Sequence, residues 1–339
     1  MSSALDSSGA QTTLARTGST GRAATRDVAV DTAAFEREIR ADMTFLADDA
    51  MRGRGSATHD EHVAALFAAS QFQQLGLEPG GDPGSFLQKI ALTPDQRSTT
   101  ARREANFEDT DRSETWNAIG ILRGTDASGE TILITAHLDH LGVGPASSTG
   151  DMIYNGADDD ASGTTAVLAL AHELAAAPRP RRTIVFALFG SEELGGFGNA
   201  GFLKRPPVPL SSIVANLEFE MIGRPDPAVQ DPENALWLTG YERSDLGPEL
   251  ARHGAHLVAD PHPTQKFFQR SDNYALARSG IIAQTVSSFG LHKDYHQPSD
   301  ELSTIDFAHM VSAIGSMVGP VRWLADTTWK PSWNPGGKP

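Results

Sequence analysis

From Ala33 onward, large apolar residues recur at helical spacing: Phe35, Ile39, Met43 and Leu46, with Glu36, Arg37 and Arg40 between them, predict an amphipathic helix. A second helix is predicted from about Asp60 to Leu75, closed by Gly76. Pro79, Gly80, Gly81, Pro83 and Gly84 then mark turns, 86–92 reads as a strand, and the polar run 93–114 reads as a loop. Beyond it strands and helices alternate. Apolar, β-branched runs at 118–122, 131–136, 183–189, 213–220, 235–239 and 281–286 are separated or followed by helical patterns at 162–176, 246–253, 272–279 and 307–324. Short buried strands between helices predict an α/β fold whose central sheet is mostly parallel, with helices on both faces.

The two ends read differently. Residues 1–30 are dominated by Ser, Thr, Gly and Ala with almost no large apolar side chain, and are expected to be a mobile tail. Residues 329–339, with Pro331, Pro335, Gly336, Gly337 and Pro339, are expected to be a loose tail, leaving 31–328 as a single domain.

Lys and Arg number 28 against 43 Asp and Glu, a formal charge of −15, which argues against nucleic-acid or anionic-membrane partners. The absence of cysteine excludes disulfides, thiolate metal sites and a cysteine nucleophile, so any metal must be held by the eleven histidines and the carboxylates. No apolar run is long enough to span a bilayer. A cysteine-free chain suits the periplasm or the extracellular medium, and export with a trimmed leader is the expectation.

In open α/β sheets ligands bind beyond the carboxyl ends of the strands, and the ionisable residues collect there. His137 and Asp139 follow the strand ending at Ala136, and Asp158, Asp159 and Asp160 precede the helix at Ser162. Glu192 and Glu193 follow the strand ending at Phe189, Glu220 closes the next strand, and His296 precedes the last helix. Taken singly, each has a bland reading as a cap or a structural hydrogen-bonding group. Taken together they need positive charge that the neighbouring sequence does not supply. Two zinc ions sharing a bridging carboxylate would provide it, with three ligand carboxylates set against +4 and the surplus stabilising a bound hydroxide. Asp139, two residues beyond His137, is placed to orient that imidazole.

These residues resemble the co-catalytic zinc aminopeptidases, whose wider family includes glutamate carboxypeptidases. The resemblance rests on His137-Leu138-Asp139, the stretch from Gly156 to Gly163, Gly190-Ser191-Glu192-Glu193-Leu194-Gly195, Asn216 to Gly223, and Tyr295-His296-Gln297-Pro298, and extends over roughly 35–324. It implies a zinc exopeptidase-like three-layer sandwich holding two Zn2+ ions. Carried over by position, it implies that Asp158 bridges the ions, that His137 and Glu220 complete one site and Glu193 and His296 the other, and that Glu192 is the general base. It also implies a cis peptide between Asp158 and Asp159. Where relatives commonly have Asp before Met-Ile-Gly, this chain has Glu220, with Glu218 on the same strand face; Glu220 is preferred as nearer the strand end. The polar run 93–114 leaves no room for an inserted accessory domain.

The implied activity is release of N-terminal residues from a peptide or amino-acyl amide substrate, with Glu192 moving the proton from water to the leaving amine. A carboxypeptidase or other amide hydrolase of this fold, a glutaminyl-cyclase-like enzyme and a non-catalytic binding module are the alternatives; the oligomeric state stays open, a monomer being compatible. Gly196-Phe197-Gly198-Asn199-Ala200-Gly201 fits a dinucleotide fingerprint by pattern, but Glu192 and Glu193 stand where a pyrophosphate would sit. Phe267, Phe268, Met221 and Tyr295 are candidates for a side-chain pocket. His140 and His292 are expected to be structural or at the surface.

Overall fold

The computed structural model describes residues 32–103, 107 and 112–339. In chain order it contains α1 (Thr32–Leu46), α2 (His59–Gln74), β1 (Glu78–Pro79), β2 (Leu87–Ala91), α3 (Pro94–Arg103), β3 (Glu114–Leu122) and β4 (Thr131–His137). Next come β5 (Gly142–Val143), β6 (Ile153–Tyr154), α4 (Gly163–Ala176), β7 (Thr183–Phe189), α5 (Phe197–Lys204), β8 (Ile213–Phe219) and β9 (Leu236–Leu238). The chain ends with α6 (Leu246–Arg252), β10 (Leu257–Ala259), α7 (Asn273–Arg278), β11 (Ala283–Ser287) and α8 (Phe307–Asp326).

The main sheet runs β1-β3-β7-β4-β8-β11-β9-β10, with β2 also paired to β3. Its centre, β7-β4-β8-β11, is parallel throughout, and the antiparallel pairs lie toward the edges. Strands β4 and β7 are buried along their whole length, which accounts for their unbroken apolar sequence. Phe35, Ile39, Met43 and Leu46 of α1 lie in a core shared with α4, α8 and one sheet face. Phe202 of α5 and Leu276 and Ala277 of α7 cover the other face against Leu133 and Val185. Because β4, β7, β8 and β11 point the same way, the loops after His137, Phe189, Phe219 and Ser287 emerge at one edge.

Two expectations are corrected. The polar run is not all loop: α3 opens at Thr93, whose hydroxyl accepts the Gln96 N–H at 3.3 Å while the Gln96 side chain accepts the Thr93 N–H at 2.8 Å, a capping box followed by Pro94 at the first helical position. The C-terminal segment is not loose. Trp329 and Trp333 pack on the core, Ser332 bonds Asp245, and Arg182, 1% exposed, donates to the Trp329 carbonyl at 2.7 Å. The tail expected at 1–30 lies outside the described residues. Among the described residues, no helix is long and apolar enough to cross a membrane.

Candidate metal centre

His137, the last residue of β4, is 1% exposed and lies 3.2 Å through Nε2 from an Asp159 carboxylate oxygen. Its Nδ1 lies 3.1 Å from the main-chain carbonyl of Asp139 and 3.7 Å from the Asp139 carboxylate, so the carbonyl fixes the tautomer. The Asp139 carboxylate is employed elsewhere: it accepts the N–H groups of Glu192 at 2.9 Å and Glu193 at 3.3 Å and the Ser56 hydroxyl. One residue thus registers the end of β4 against the loop after β7. From behind, buried Glu61 of α2 accepts the Ser191 N–H at 2.9 Å.

The three consecutive aspartates have three different surroundings. Asp158 accepts the Gly223 N–H at 2.7 Å and lies 2.9 Å from His292 Nε2. Asp160 accepts the N–H groups of Gly163, Met221 and His137. The ion-pair partners of Asp159 are imidazoles: His137 at 3.2 Å, His296 at 3.2 Å and His140 at 3.8 Å. The carboxylate between the two donor groups is therefore that of Asp159, not of Asp158, and the cis peptide joins Asp159 and Asp160 rather than Asp158 and Asp159. Asp300, fully buried and ion-paired to Arg224 at 2.6 Å, accepts the N–H groups of both Asp158 and Asp159 and holds this loop.

Two sets of donors come together, His137 with Asp159 and Glu220, and His140 with Asp159 and Glu193. His296 lies 3.2 Å from both Asp159 and Glu193. Glu220 joins the first set, while Glu218 is taken up by Ser271, the Asn273 N–H and Thr285. Glu192 lines the cavity beside them. His140, expected to be structural or at the surface, is fully buried at the centre of the site. The sequence signal for it was its place in His137-Leu138-Asp139-His140, three residues past the first ligand candidate.

Burial pushes the Glu192 carboxyl well above its ordinary range; attraction to His137 opposes this, and repulsion from Asp272, Glu193 and Glu220 adds to it. Burial likewise raises Glu220. At Asp159 burial is outweighed by hydrogen bonds from His137 and His296, and the carboxyl falls well below its usual range. Ser191, Met221 and His296, each in a site loop, adopt left-handed backbone with φ of 55°, 51° and 56°. That conformation costs non-glycine residues about 1–2 kcal/mol each and persists where the surroundings fix it.

The donor set fits a metal. His137 Nε2, both ring nitrogens of His140 and Glu193 Oε1 are buried without hydrogen-bond partners. Unpaired buried polar atoms are costly, and four converging in one acidic nest call for a cation. Imidazole and carboxylate donors without sulfur suit zinc and its first-row neighbours.

Beside the donors opens a cavity of about 500 Å³, its mouth included, walled by Trp237, Phe267, Phe289, Tyr295 and Met221. Phe268 packs instead in the core beneath α7, under the Arg243 guanidinium. Trp237 and Phe289 were not foreseen, because an aromatic residue in a buried strand, or just past one, reads as core.

A family model described as peptidase family M28 matches residues 117–318. A vacuolar membrane protease of Clavispora lusitaniae is 26% identical over 159 residues, 47% of this chain and 13% of that protein. A probable lipoprotein aminopeptidase, LpqL, of Mycobacterium tuberculosis is 31% identical over 104 residues, 30% of this chain and 19% of that protein. The matched stretches are thus under a fifth of the length of these relatives. The zinc aminopeptidase BSAP of Bacillus subtilis superposes with a TM-score of 0.61 at 16% identity, covering 86% of this chain and 95% of that one, a likeness of fold.

Proposed function

This chain belongs to peptidase family M28, and on that premise we propose that it is a zinc-dependent aminopeptidase removing N-terminal residues from peptides. The observation that carries the reading is the pair of donor sets sharing Asp159 beside an aromatic-walled pocket. An apolar pocket directly beside the donors suits a single first side chain placed next to the scissile bond, as an exopeptidase requires. The names of the relatives, a protease and an aminopeptidase, and the zinc aminopeptidase of the same fold support it.

In this reading His137, Glu220 and Asp159 would hold one ion, and Glu193, His296 and Asp159 the other. When bound, the ions supply Lewis acidity and lower the pKa of a water molecule toward ~7. The protein's own groups do the rest. Glu192 takes a proton from the attacking water and delivers it to the leaving amine. Asp139 accepts the Glu192 N–H, which positions the backbone that carries that carboxylate beside the cleft. Trp237, Phe267 and Phe289 receive the first side chain and exclude water, and the surrounding carboxylates favour a cationic N-terminal amine.

The reading takes 31–328 as one catalytic unit acting outside the cytosol, in keeping with the absence of cysteine. Amino-acyl p-nitroanilides, assayed beside N-acetylated and C-terminal dipeptide substrates with and without a chelator, test it. Chelator-sensitive cleavage confined to free amines is expected, with large apolar first residues preferred. Cleavage of acetylated substrates at a comparable rate would overturn it.

A further inference from the structure

We infer that His140 is a fourth protein donor to the ion held by Asp159, Glu193 and His296, so that this ion is bound more tightly than the one at His137 and Glu220. The inference rests on the two-ion reading above and assigns a residue outside the set that the sequence resemblance implied.

Four observations carry it. The His140 imidazole is fully buried, and neither ring nitrogen has a hydrogen-bond partner. An ordinary structural histidine in a core satisfies at least one of them. Its Nδ1 stands 2.9 Å from Glu193 Oε1 and 3.8 Å from Asp159 Oδ2, yet it is not aligned for a hydrogen bond with Glu193. Donor atoms of His140, Asp159 and Glu193 all lie within 4.8 Å of one another, close enough to share one ion. Edge-on packing against the His296 ring, with centroids 5.5 Å apart, brings the two histidines to the same carboxylate pair.

The fold also fixes the ring. The His140 N–H donates to the Arg54 carbonyl at 3.1 Å, and its carbonyl accepts the Ser56 N–H at 3.1 Å. Gly156, in left-handed backbone at φ 56°, leaves the space in which a Cβ would strike the His140 ring. A donor pinned at its backbone and given a cut-out in the facing loop is preorganised for binding.

The donor count is then unequal, four against three. A zinc site with four protein donors is closed and holds its ion firmly, whereas a three-donor site keeps a position for water or substrate. The His137–Glu220 ion is the one to be lost first to a chelator.

The test is a zinc titration of the metal-stripped full chain against a colorimetric chelator. Wild type is expected to take up two ions of unequal affinity. His140→Ala should weaken the tighter one by at least about 100-fold, since even groups that only orient a ligand contribute about 10–100-fold, and leave the other unchanged. Glu220→Ala should do the converse. Both affinities within about threefold of wild type in His140→Ala would overturn the inference while leaving the two-ion reading intact; a wild type that binds no zinc would remove that reading itself. Should His140→Ala fail to fold, nitrogen spectra of histidine-labelled wild type decide the matter. Zinc saturation should move ring nitrogens of three histidines, and movement of only two would overturn the assignment.

Discussion

Asp158, Asp159 and Asp160 carry the same side chain on consecutive residues, and only their partners separate them. Asp160 accepts three backbone N–H groups, from Gly163, Met221 and His137, and Asp158 accepts the Gly223 N–H and faces His292. Asp159 keeps its oxygens for imidazole and cation. Asp159→Asn is therefore expected to lose bound zinc, whereas Asp158→Asn, which can still accept from Gly223, retains it with a modest loss of stability of about 1–2 kcal/mol. Zinc-to-protein ratios after dialysis distinguish the two, and the reverse pattern would return the bridge to Asp158. At Glu192 the expected change is in rate alone: Glu192→Gln keeps its metal and its main-chain bond to Asp139 but loses about 10²–10⁴-fold in kcat, the usual contribution of a general base. Near-normal turnover would exclude that role. That His137, Glu193, Glu220 and His296 come together was legible because each stands at a strand end or site loop in a recognisable motif. The choice among three adjacent aspartates was not, because it depends on which N–H groups the loop after β8 presents.

The elements were legible where their apolar period was strong. Helix α1 was placed within a residue by Phe35, Ile39, Met43 and Leu46, and β4 and β7 by uninterrupted apolar runs. Helix α3 was missed because it has no apolar face, although the Thr93-Pro94-Asp95-Gln96 start signal was present. Helix α5 was hidden in the glycine-rich pattern; Gly198 lies where a Cβ would strike Asn117 and the Gly190 carbonyl, a close approach of helix to loop rather than a phosphate cradle. Helix α1 also carries a titration that periodicity does not reveal. Burial, with repulsion from Glu38 one turn away, raises Asp42 from its ordinary 3.8 to about 7. The folded chain thus binds that proton more tightly than the unfolded chain does. The associated stability is present below pH 3.8 and is lost as pH rises toward about 7. Asp42→Asn, which removes the charge, should raise the melting temperature at pH 8 and change it little at pH 4; an equal shift at both would show that Asp42 titrates normally.

For the whole molecule, the parallel centre of the sheet brings four loops to one edge, and the segments around that frame hold it closed. The C-terminal segment was expected to be loose because its prolines and glycines form no helix or long strand. Its order comes instead from two indoles and from hydrogen bonds made to groups distant in sequence. Trp333 packs against both faces' apolar clusters and pairs through its backbone with Ser244, while the Ser332 hydroxyl donates to the Asp245 carboxylate and Arg243 donates to the Gly337 carbonyl. The buried Arg182 ties Trp329 to the end of α8 by donating to the Leu324 carbonyl at 2.7 Å. None of these residues lines the cavity or contributes a metal donor. Trp333→Ala should therefore lower the unfolding free energy by about 2–3 kcal/mol, less than the ~3–5 typical of fully buried aromatic truncations because the indole is partly exposed. Urea denaturation measures that loss, and kcat and zinc content should stay at wild-type values at temperatures where the variant is folded. A fall in kcat without a change in the denaturation midpoint would mean that the segment acts on the catalytic edge rather than on the frame that supports it.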